Sequence, residues 1–114
     1  MRLDYTLWSS PVTNDSLYLQ TFSPATSTNR FYSYSSPINL YTAIANPSTT
    51  NFALGQGYLI RMPNDASSTV RTNYPGVFTG VPNNGNISIA LSNEGVGKGF
   101  NLVGNPYPSA ISIA

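Results

Sequence analysis

The sequence predicts an all-β fold, either an antiparallel sandwich of the jelly-roll kind or a partly open barrel of about eight to ten short strands. Proline or glycine interrupts nearly every window of a dozen residues, which leaves little room for helical periodicity. Between these breaks the chain is rich in β-branched and aromatic residues, which are typical of strands. The length of 114 residues suits one domain, so we expect a single module over 1–114.

Short runs that alternate between polar and apolar residues set the predicted strands. The cleanest alternation lies at 86–92, and a second run lies at 16–22. Further strands are predicted at 4–8, 30–34, 38–44, 57–62, 68–72, 76–80, 100–103 and 110–113. Turns are expected at 63–65 and 82–85, where proline fixes φ and Asn or Gly accepts a positive φ. The alternation predicts a core made of Trp8, Leu17, Leu19, Tyr58, Ile60, Ile87, Ile89, Leu91 and Leu102.

The composition points to a neutral polar surface. Charged residues make up only 8% of the chain, whereas Ser, Thr and Asn together supply 39 of its 114 residues. The chain contains 8 Tyr, 5 Phe and Trp8, which is too many aromatic residues for a disordered, fully solvated polymer. Low charge with many hydroxyls and amides favours a bacterial surface protein, although the cytosol stays compatible with the absence of cysteine.

Several classes of function are disfavoured by what the chain lacks. Without cysteine or histidine there is no disulfide scaffold, no thiol nucleophile and no His-based triad, and we expect no metal site or cofactor. The basic residues are scattered at Arg2, Arg30, Arg61, Arg71 and Lys98, so nucleic acid is not an expected partner. No apolar run is long enough to span a membrane, and no signal peptide is recognisable. We therefore expect a piece of a longer protein, or a mature form.

The acidic residues give little support for catalysis. A glycoside hydrolase needs two carboxyl groups that face each other across a cleft, and calcium needs clustered oxygen ligands. Asp15 and Asp65 lie in turn sequences, where Asp commonly caps its own backbone, which favours solvated acids over a catalytic pair. The chain is therefore expected not to be an enzyme, and a two-carboxylate hydrolase fragment is the weakest of the functions considered. The acidic residues are Asp4, Asp15, Asp65 and Glu94.

Aromatic side chains are the best candidates for ligand contact, because flat Tyr and Trp faces stack on sugar rings. Tyr32 and Tyr34 are two residues apart and therefore share one face of a strand. Each of these aromatic residues also has an ordinary interpretation as a core or corner residue. The candidate ligand-binding residues are Trp8, Tyr32, Tyr34, Tyr41, Tyr74 and Tyr107.

Two segments of the chain resemble each other in sequence. The run YTLWSSPV at 5–12 matches FNLVGNPY at 100–107 in its order of aromatic, polar, apolar and proline positions. Chance and a true repeat both explain the match. If the repeat is real, 100–103 is drawn into the sheet, while 109–114 lies along a sheet edge or pairs with a second molecule. Self-association through the C-terminal strand is thus one expectation.

Five motifs together resemble a known module. The chain is similar to a β-rich module of secreted and cell-surface proteins from Bacteroidetes-type bacteria, which commonly lies upstream of a sorting domain for type IX secretion. The resemblance implies an extracellular setting and transfers no catalytic residue. The chain lacks the sorting domain and stops soon after Pro108, where family members usually run on. The motifs are YTLWSSPV at 5–12, RFYSY at 30–34, GQGYLI at 55–60, FTGVPNNG at 78–85 and NLVGNPYPS at 101–109.

The sequence thus predicts a non-catalytic structural or adhesive module of a secreted or surface-attached protein. Its expected partners are other domains of the parent chain and surface glycans. A carbohydrate-binding module that uses exposed Tyr or Trp is the main alternative. Asp15-Ser16-Leu17 also resembles a short bacterial O-glycosylation pattern, with Ser16 as the acceptor, although an ordinary turn into a strand is the preferred explanation.

Overall fold

The computed structural model describes residues 4–63, 69 and 73–112, and within them the chain is an antiparallel all-β protein with almost no helix. This confirms the prediction of an antiparallel all-β fold, whereas the sandwich or barrel arrangement stays a prediction. These residues contain six strands and one helical turn, and every strand pairing among them is antiparallel. The elements are β1 (Tyr5–Trp8), β2 (Val12–Thr13), α1 (Leu19–Phe22), β3 (Phe31–Ser35), β4 (Leu40–Ala43), β5 (Tyr58–Arg61) and β6 (Val81–Pro82).

A four-stranded sheet in the order β1-β5-β3-β4 organises the chain, and β2 pairs with β6 in a separate two-stranded sheet. In the larger sheet, Phe31 lies opposite Ile60, and Trp8 lies opposite Tyr58. Residues that are opposite in register point to the same side of a sheet. These four side chains therefore lie on one side, which we call the core face.

The core face packs against α1 and two aromatic residues from later loops. Leu19 and Phe31 are each 0% exposed, and Tyr58 and Ile60 are also buried. The Phe22 ring lies edge-on to Trp8, with 4.9 Å between ring centroids, and stacks on Phe78 at 4.7 Å. Offset and edge-to-face contacts of this kind stabilise a core beyond simple burial. Phe52 completes the cluster, with its ring edge-on to Phe22, Tyr58 and Phe78.

The prediction of a strand at 16–22 is wrong, because Leu19–Phe22 forms one helical turn. Its first backbone donors are satisfied by the 47–50 loop and not by a neighbouring strand: Leu19 N donates to Thr50 O, and Gln20 N donates to Pro47 O. The turn brings Leu19 and Phe22 to the same side, since residues three apart are neighbours on a helix. Both side chains enter the core, so the predicted burial of Leu17 and Leu19 is confirmed despite the wrong element.

The strand predicted at 86–92 is also wrong. This segment has no strand pairing, Leu91 is 67% exposed, and Ile87 and Ile89 are only half-buried. The backbone of Ser92 bonds to a side chain instead of a strand, because Asn101 accepts from Ser92 N and donates to Ser92 O. Alternation alone cannot create a strand when no partner backbone lies alongside. Leu102 and Trp8 are half-buried, so the prediction that they belong to the core is met only in part.

The remaining strand predictions have mixed outcomes. Strands at 4–8, 30–34 and 57–62 are confirmed, and 38–44 begins late because Ser36–Asn39 form the hairpin turn, with Asn39 at φ 51°. No strand forms at 76–80 or in the described part of 110–113, and 100–103 contributes one bridge, from Val103 to Gln56. Pro82 lies in β6 and not in a turn, at an edge position that needs no N–H. Most of the predicted strand at 68–72 lies outside the described residues.

We expect Leu19→Ala to lower the free energy of unfolding by about 2–5 kcal/mol, because it leaves a cavity in a fully buried site. The matched substitution Leu91→Ala removes the same atoms from an exposed side chain and should change stability by less than about 0.5 kcal/mol. Urea denaturation of both variants measures the difference. Equal losses would contradict the placement of 86–92 outside the core.

Candidate functional site

The side of the four-stranded sheet opposite the core face carries accessible aromatic side chains. We call it the outer face. Four of the chain's eight tyrosines lie there, and two of them, Tyr5 and Tyr41, are 42% and 46% exposed. Alternate residues of a strand point to opposite sides, so each strand of the sheet supplies two side chains to this face. They are Tyr5 and Leu7 from β1, Leu59 and Arg61 from β5, Tyr32 and Tyr34 from β3, and Tyr41 and Ala43 from β4.

At one end of the outer face, three aromatic rings surround a shallow groove. Tyr34 lies opposite Tyr41 in the register, and their rings meet edge-to-face with 5.4 Å between centroids. The Tyr34 hydroxyl donates to the Asn39 side chain in the hairpin turn, which fixes the ring. Phe100, 68% exposed, lines the same depression of about 240 Å³. We call Tyr34, Tyr41 and Phe100 the aromatic groove.

A more polar cavity of about 400 Å³ adjoins the aromatic groove and shares Tyr34 with it. One wall is tied together by Ser36, whose buried hydroxyl lies 2.9 Å from Lys98 O and 3.3 Å from Ser92 O. The Gln56 amide also lines the cavity and makes no side-chain hydrogen bond within the described part of the chain. Aromatic rings beside amide and hydroxyl groups form a surface that can bind a polyhydroxylated ligand.

Two glycines shape this cavity. Gly55 has φ +69°, a backbone conformation that disfavours other residues, and a β-carbon there would lie 1.8 Å from the Ile89 side chain. A β-carbon on Gly57 would lie 2.6 Å from the Leu102 side chain. The backbone also pairs here, since Gly57 N donates to Leu102 O and Gly104 N donates to Gly55 O. The GQG sequence therefore lets Ile89 and Leu102 close over the end of β5.

At the other end of the outer face, two arginines meet two tyrosines. Arg30 Nη1 donates to Tyr32 Oη over 3.2 Å, and the Tyr5 and Tyr32 ring centroids are 6.0 Å apart. Arg61 lies opposite Tyr5 in the sheet and donates its backbone N–H to Arg30 O. The hydrogen bond from Arg30 lowers the pKa of Tyr32, and partial burial opposes this effect. We call these four residues the arginine–tyrosine cluster.

The other predicted ligand-binding residues lie elsewhere. Trp8 points to the core face, where it packs on Phe22, and Tyr74 lines a cavity of about 60 Å³ on that side. Tyr107 is half-buried, and its hydroxyl donates to Gly85 O. Of the six predicted aromatic residues, the structure brings three together on the outer face: Tyr32, Tyr34 and Tyr41.

The described acidic residues lie in exposed positions. Asp15 belongs to a turn, Glu94 directly precedes the turn at 95–97, Asp4 precedes β1, and Asp65 lies outside the described residues. Within the described ranges, no group of three or more His, Cys, Asp or Glu side chains could hold a metal ion. Ser16, the predicted glycosylation acceptor, is exposed in a turn closed by its N–H donating to the Asn14 side chain over 2.9 Å.

Four residues of the outer face and its groove were missed from the sequence: Tyr5, Arg30, Arg61 and Phe100. Alternation along the strands predicts part of this arrangement. Tyr5 is three residues from the core residue Trp8 and therefore points to the opposite side, whereas Arg30 is two residues from Tyr32 and therefore points to the same side. Strand order is what the sequence lacks, because only the pairing of β5 with both β1 and β3 brings the two arginines together.

In the described parts of the chain, no helix is both long and apolar enough to cross a membrane. A family model described as "Domain of unknown function (DUF8693)" matches residues 1–114. No curated protein and no solved structure matches the chain significantly.

We expect Tyr32 to ionise at a lower pH than the ordinary tyrosine value of about 10, because the Arg30 guanidinium stabilises its phenolate. Arg30→Met removes both the charge and the donor, so the pKa of Tyr32 should rise towards that ordinary value. NMR titration of the protein with ¹³C-labelled tyrosine measures it. Lys98→Met is the control and should leave Tyr32 unchanged; an equal effect of both substitutions would contradict the local contact.

Proposed function

We propose that this chain, which belongs to the family described as "Domain of unknown function (DUF8693)", is a non-catalytic structural and adhesive module that makes its contacts through the outer face of its four-stranded sheet. The proposal depends on one observation. Four tyrosines share that face, and they lie on three strands whose register fixes their spacing.

Tyrosine suits such a contact surface. Its ring supplies a large apolar area, its hydroxyl supplies a hydrogen-bonding group, and it loses little rotamer entropy on binding. The contacts between Tyr34 and Tyr41 and between Tyr5 and Tyr32 limit the movement of each ring before any partner arrives. A surface that is already ordered avoids part of the entropic cost of binding.

One face of the sheet is packed and the other is accessible, and this difference supports the same proposal. The core face is occupied by α1, Phe52 and Phe78. The exposed Tyr5, Leu7 and Tyr41 of the outer face are therefore available for contact. An accessible apolar and aromatic patch on a small domain is typical of a binding surface.

We place the module in a secreted or cell-surface bacterial protein of the kind exported by type IX secretion. The resemblance of its motifs and its charged fraction of only 8% support this setting. In such a protein the outer face would contact either a neighbouring domain of the parent chain or the surface to which the protein adheres.

Carbohydrate binding is the second candidate, and the aromatic groove favours it. Tyr41 and Phe100 present exposed rings next to a cavity lined by hydroxyl and amide groups. The Tyr34 and Tyr41 rings are inclined by 67°, so they do not form the flat platform that suits a straight, crystalline polysaccharide. This geometry fits a single soluble chain that turns within the groove.

The double substitution Tyr41→Ala with Phe100→Ala tests the adhesive role. The wild-type protein is passed over a glycan microarray and over immobilised whole bacterial cells, and retention is measured. We expect the wild type to be retained on at least one of these surfaces and the double variant to lose about tenfold or more in affinity, as for an aromatic hot spot.

The control is Leu40→Ala, which removes another exposed side chain from β4, one that alternation places on the opposite side from Tyr41. It should leave retention unchanged. No retention of the wild type on either surface, or equal retention of all three proteins, would contradict the proposal.

A further inference from the structure

The arginine–tyrosine cluster places two like charges side by side on the sheet. The backbone hydrogen bond from Arg61 N to Arg30 O, over 3.2 Å, continues the register in which Phe31 lies opposite Ile60. Arg30 and Arg61 are therefore directly opposite on neighbouring strands, and alternation puts both side chains on the outer face.

Tyr32 lies near both positive charges. Arg30 Nη1 donates to the Tyr32 hydroxyl, and the positive charges of Arg30 and Arg61 both lower the pKa of that phenol. The two guanidinium groups therefore act on the same point of the outer face. Guanidinium carries five N–H donors in a planar fork that matches a carboxylate or sulfate, so the bond to Tyr32 leaves Arg30 most of its donors.

The two arginines differ in their freedom. Arg61 makes a further interaction of its own, and its backbone carbonyl accepts from the Thr26 hydroxyl over 2.8 Å. Arg30 therefore supplies the accessible contact, and Arg61 supplies a fixed neighbouring charge.

The residues that follow Arg30 along the outer face indicate which kind of anion would bind. From Arg30 the same face of β3 continues through Tyr32 and Tyr34, with about 7 Å between successive side chains, and reaches the aromatic groove. A ligand along β3 would therefore meet a positive charge first, then two tyrosine rings, and then a cavity lined by hydroxyl and amide groups. Sugar rings that carry an acidic substituent match this order. The few scattered basic residues do not provide the continuous stripe that nucleic acid requires.

We infer that Arg30, supported by Arg61, is an anion-binding site that takes the carboxylate or sulfate group of an acidic polysaccharide lying along β3 over Tyr32 and Tyr34. This inference rests on the proposed adhesive function of the outer face, and it names the class of ligand. Arg30 is the specificity-determining residue, because it separates an acidic polymer from a neutral one with similar rings.

Affinity electrophoresis in gels that contain a defined polymer tests the inference. The probes are polygalacturonate for carboxylate, dextran sulfate for sulfate, unsubstituted dextran as the neutral polymer, and polyglutamate as an acidic chain without sugar rings. We expect the wild type to bind one of the acidic polysaccharides at least about tenfold more tightly than dextran or polyglutamate, and to lose affinity as salt is raised. The polymer that is retained identifies carboxylate or sulfate as the group.

Arg30→Gln should remove about tenfold of the affinity for that polymer, whereas Asp15→Asn, which also alters the net charge by one unit but in the exposed turn before α1, should cause no loss. Equal losses for the two variants, equal binding of polyglutamate, or no preference over dextran would overturn the inference. Thermal melting of each variant confirms that it is folded.

The two proposals fail in different ways. If the substitutions in the aromatic groove abolish retention on cells or glycans while Arg30→Gln changes nothing, the adhesive function stands and the anion site is wrong. If neither set of substitutions affects any retention, both are wrong.

Discussion

The pairing of β3 with β5 is the interaction on which the rest of the molecule depends. These are the two central strands of the only sheet with more than two strands in the described residues, and their register puts Phe31 opposite Ile60 and Tyr32 opposite Leu59. Because alternate side chains point to opposite sides, a slip by one residue would move Phe31 out of the core and Tyr32 into it. The same register that buries the core residues thus displays the tyrosines.

The two sides of the sheet are stabilised and used differently. On the core face, Phe31 and Leu19 are fully buried, and the Phe22, Phe52 and Phe78 rings fill the space between the sheet and the loops. On the outer face, Tyr5 and Tyr41 stay accessible and are ordered mainly by contacts with neighbouring rings. A sheet buried on one side and accessible on the other is common among antiparallel folds and leaves a surface free for binding. The fold therefore separates the residues that hold it together from those we assign to contact.

The sequence predicts those parts of the fold that depend on local patterns. β1, β3 and β5 were found because their aromatic and apolar runs are bounded by turn residues, and the shared face of Tyr32 and Tyr34 followed from their spacing. Local pattern does not predict the structure of a segment when that structure depends on hydrogen bonds to another part of the chain. The alternation at 86–92 finds no strand beside it, and the apparent strand at 16–22 becomes the turn of α1 because the 47–50 loop supplies its hydrogen-bond acceptors. The two ends of the outer face were missed for the same reason, since strand order brings Arg61 to Arg30 and folding back of the chain brings Phe100 to Tyr34.

The most direct test of this account compares two neighbouring residues of β3. Phe31→Ala and Tyr32→Ala each remove one aromatic ring from the same strand, but from opposite sides of the sheet. Chemical denaturation of both variants should give a loss of about 3–5 kcal/mol in the free energy of unfolding for Phe31→Ala, as for a buried ring. For Tyr32→Ala it should give a loss of no more than about 1 kcal/mol, the contribution expected from one hydrogen bond. Equal losses, or a larger loss for Tyr32→Ala, would contradict the division of the sheet into a stabilising core face and an outer face that is free to bind.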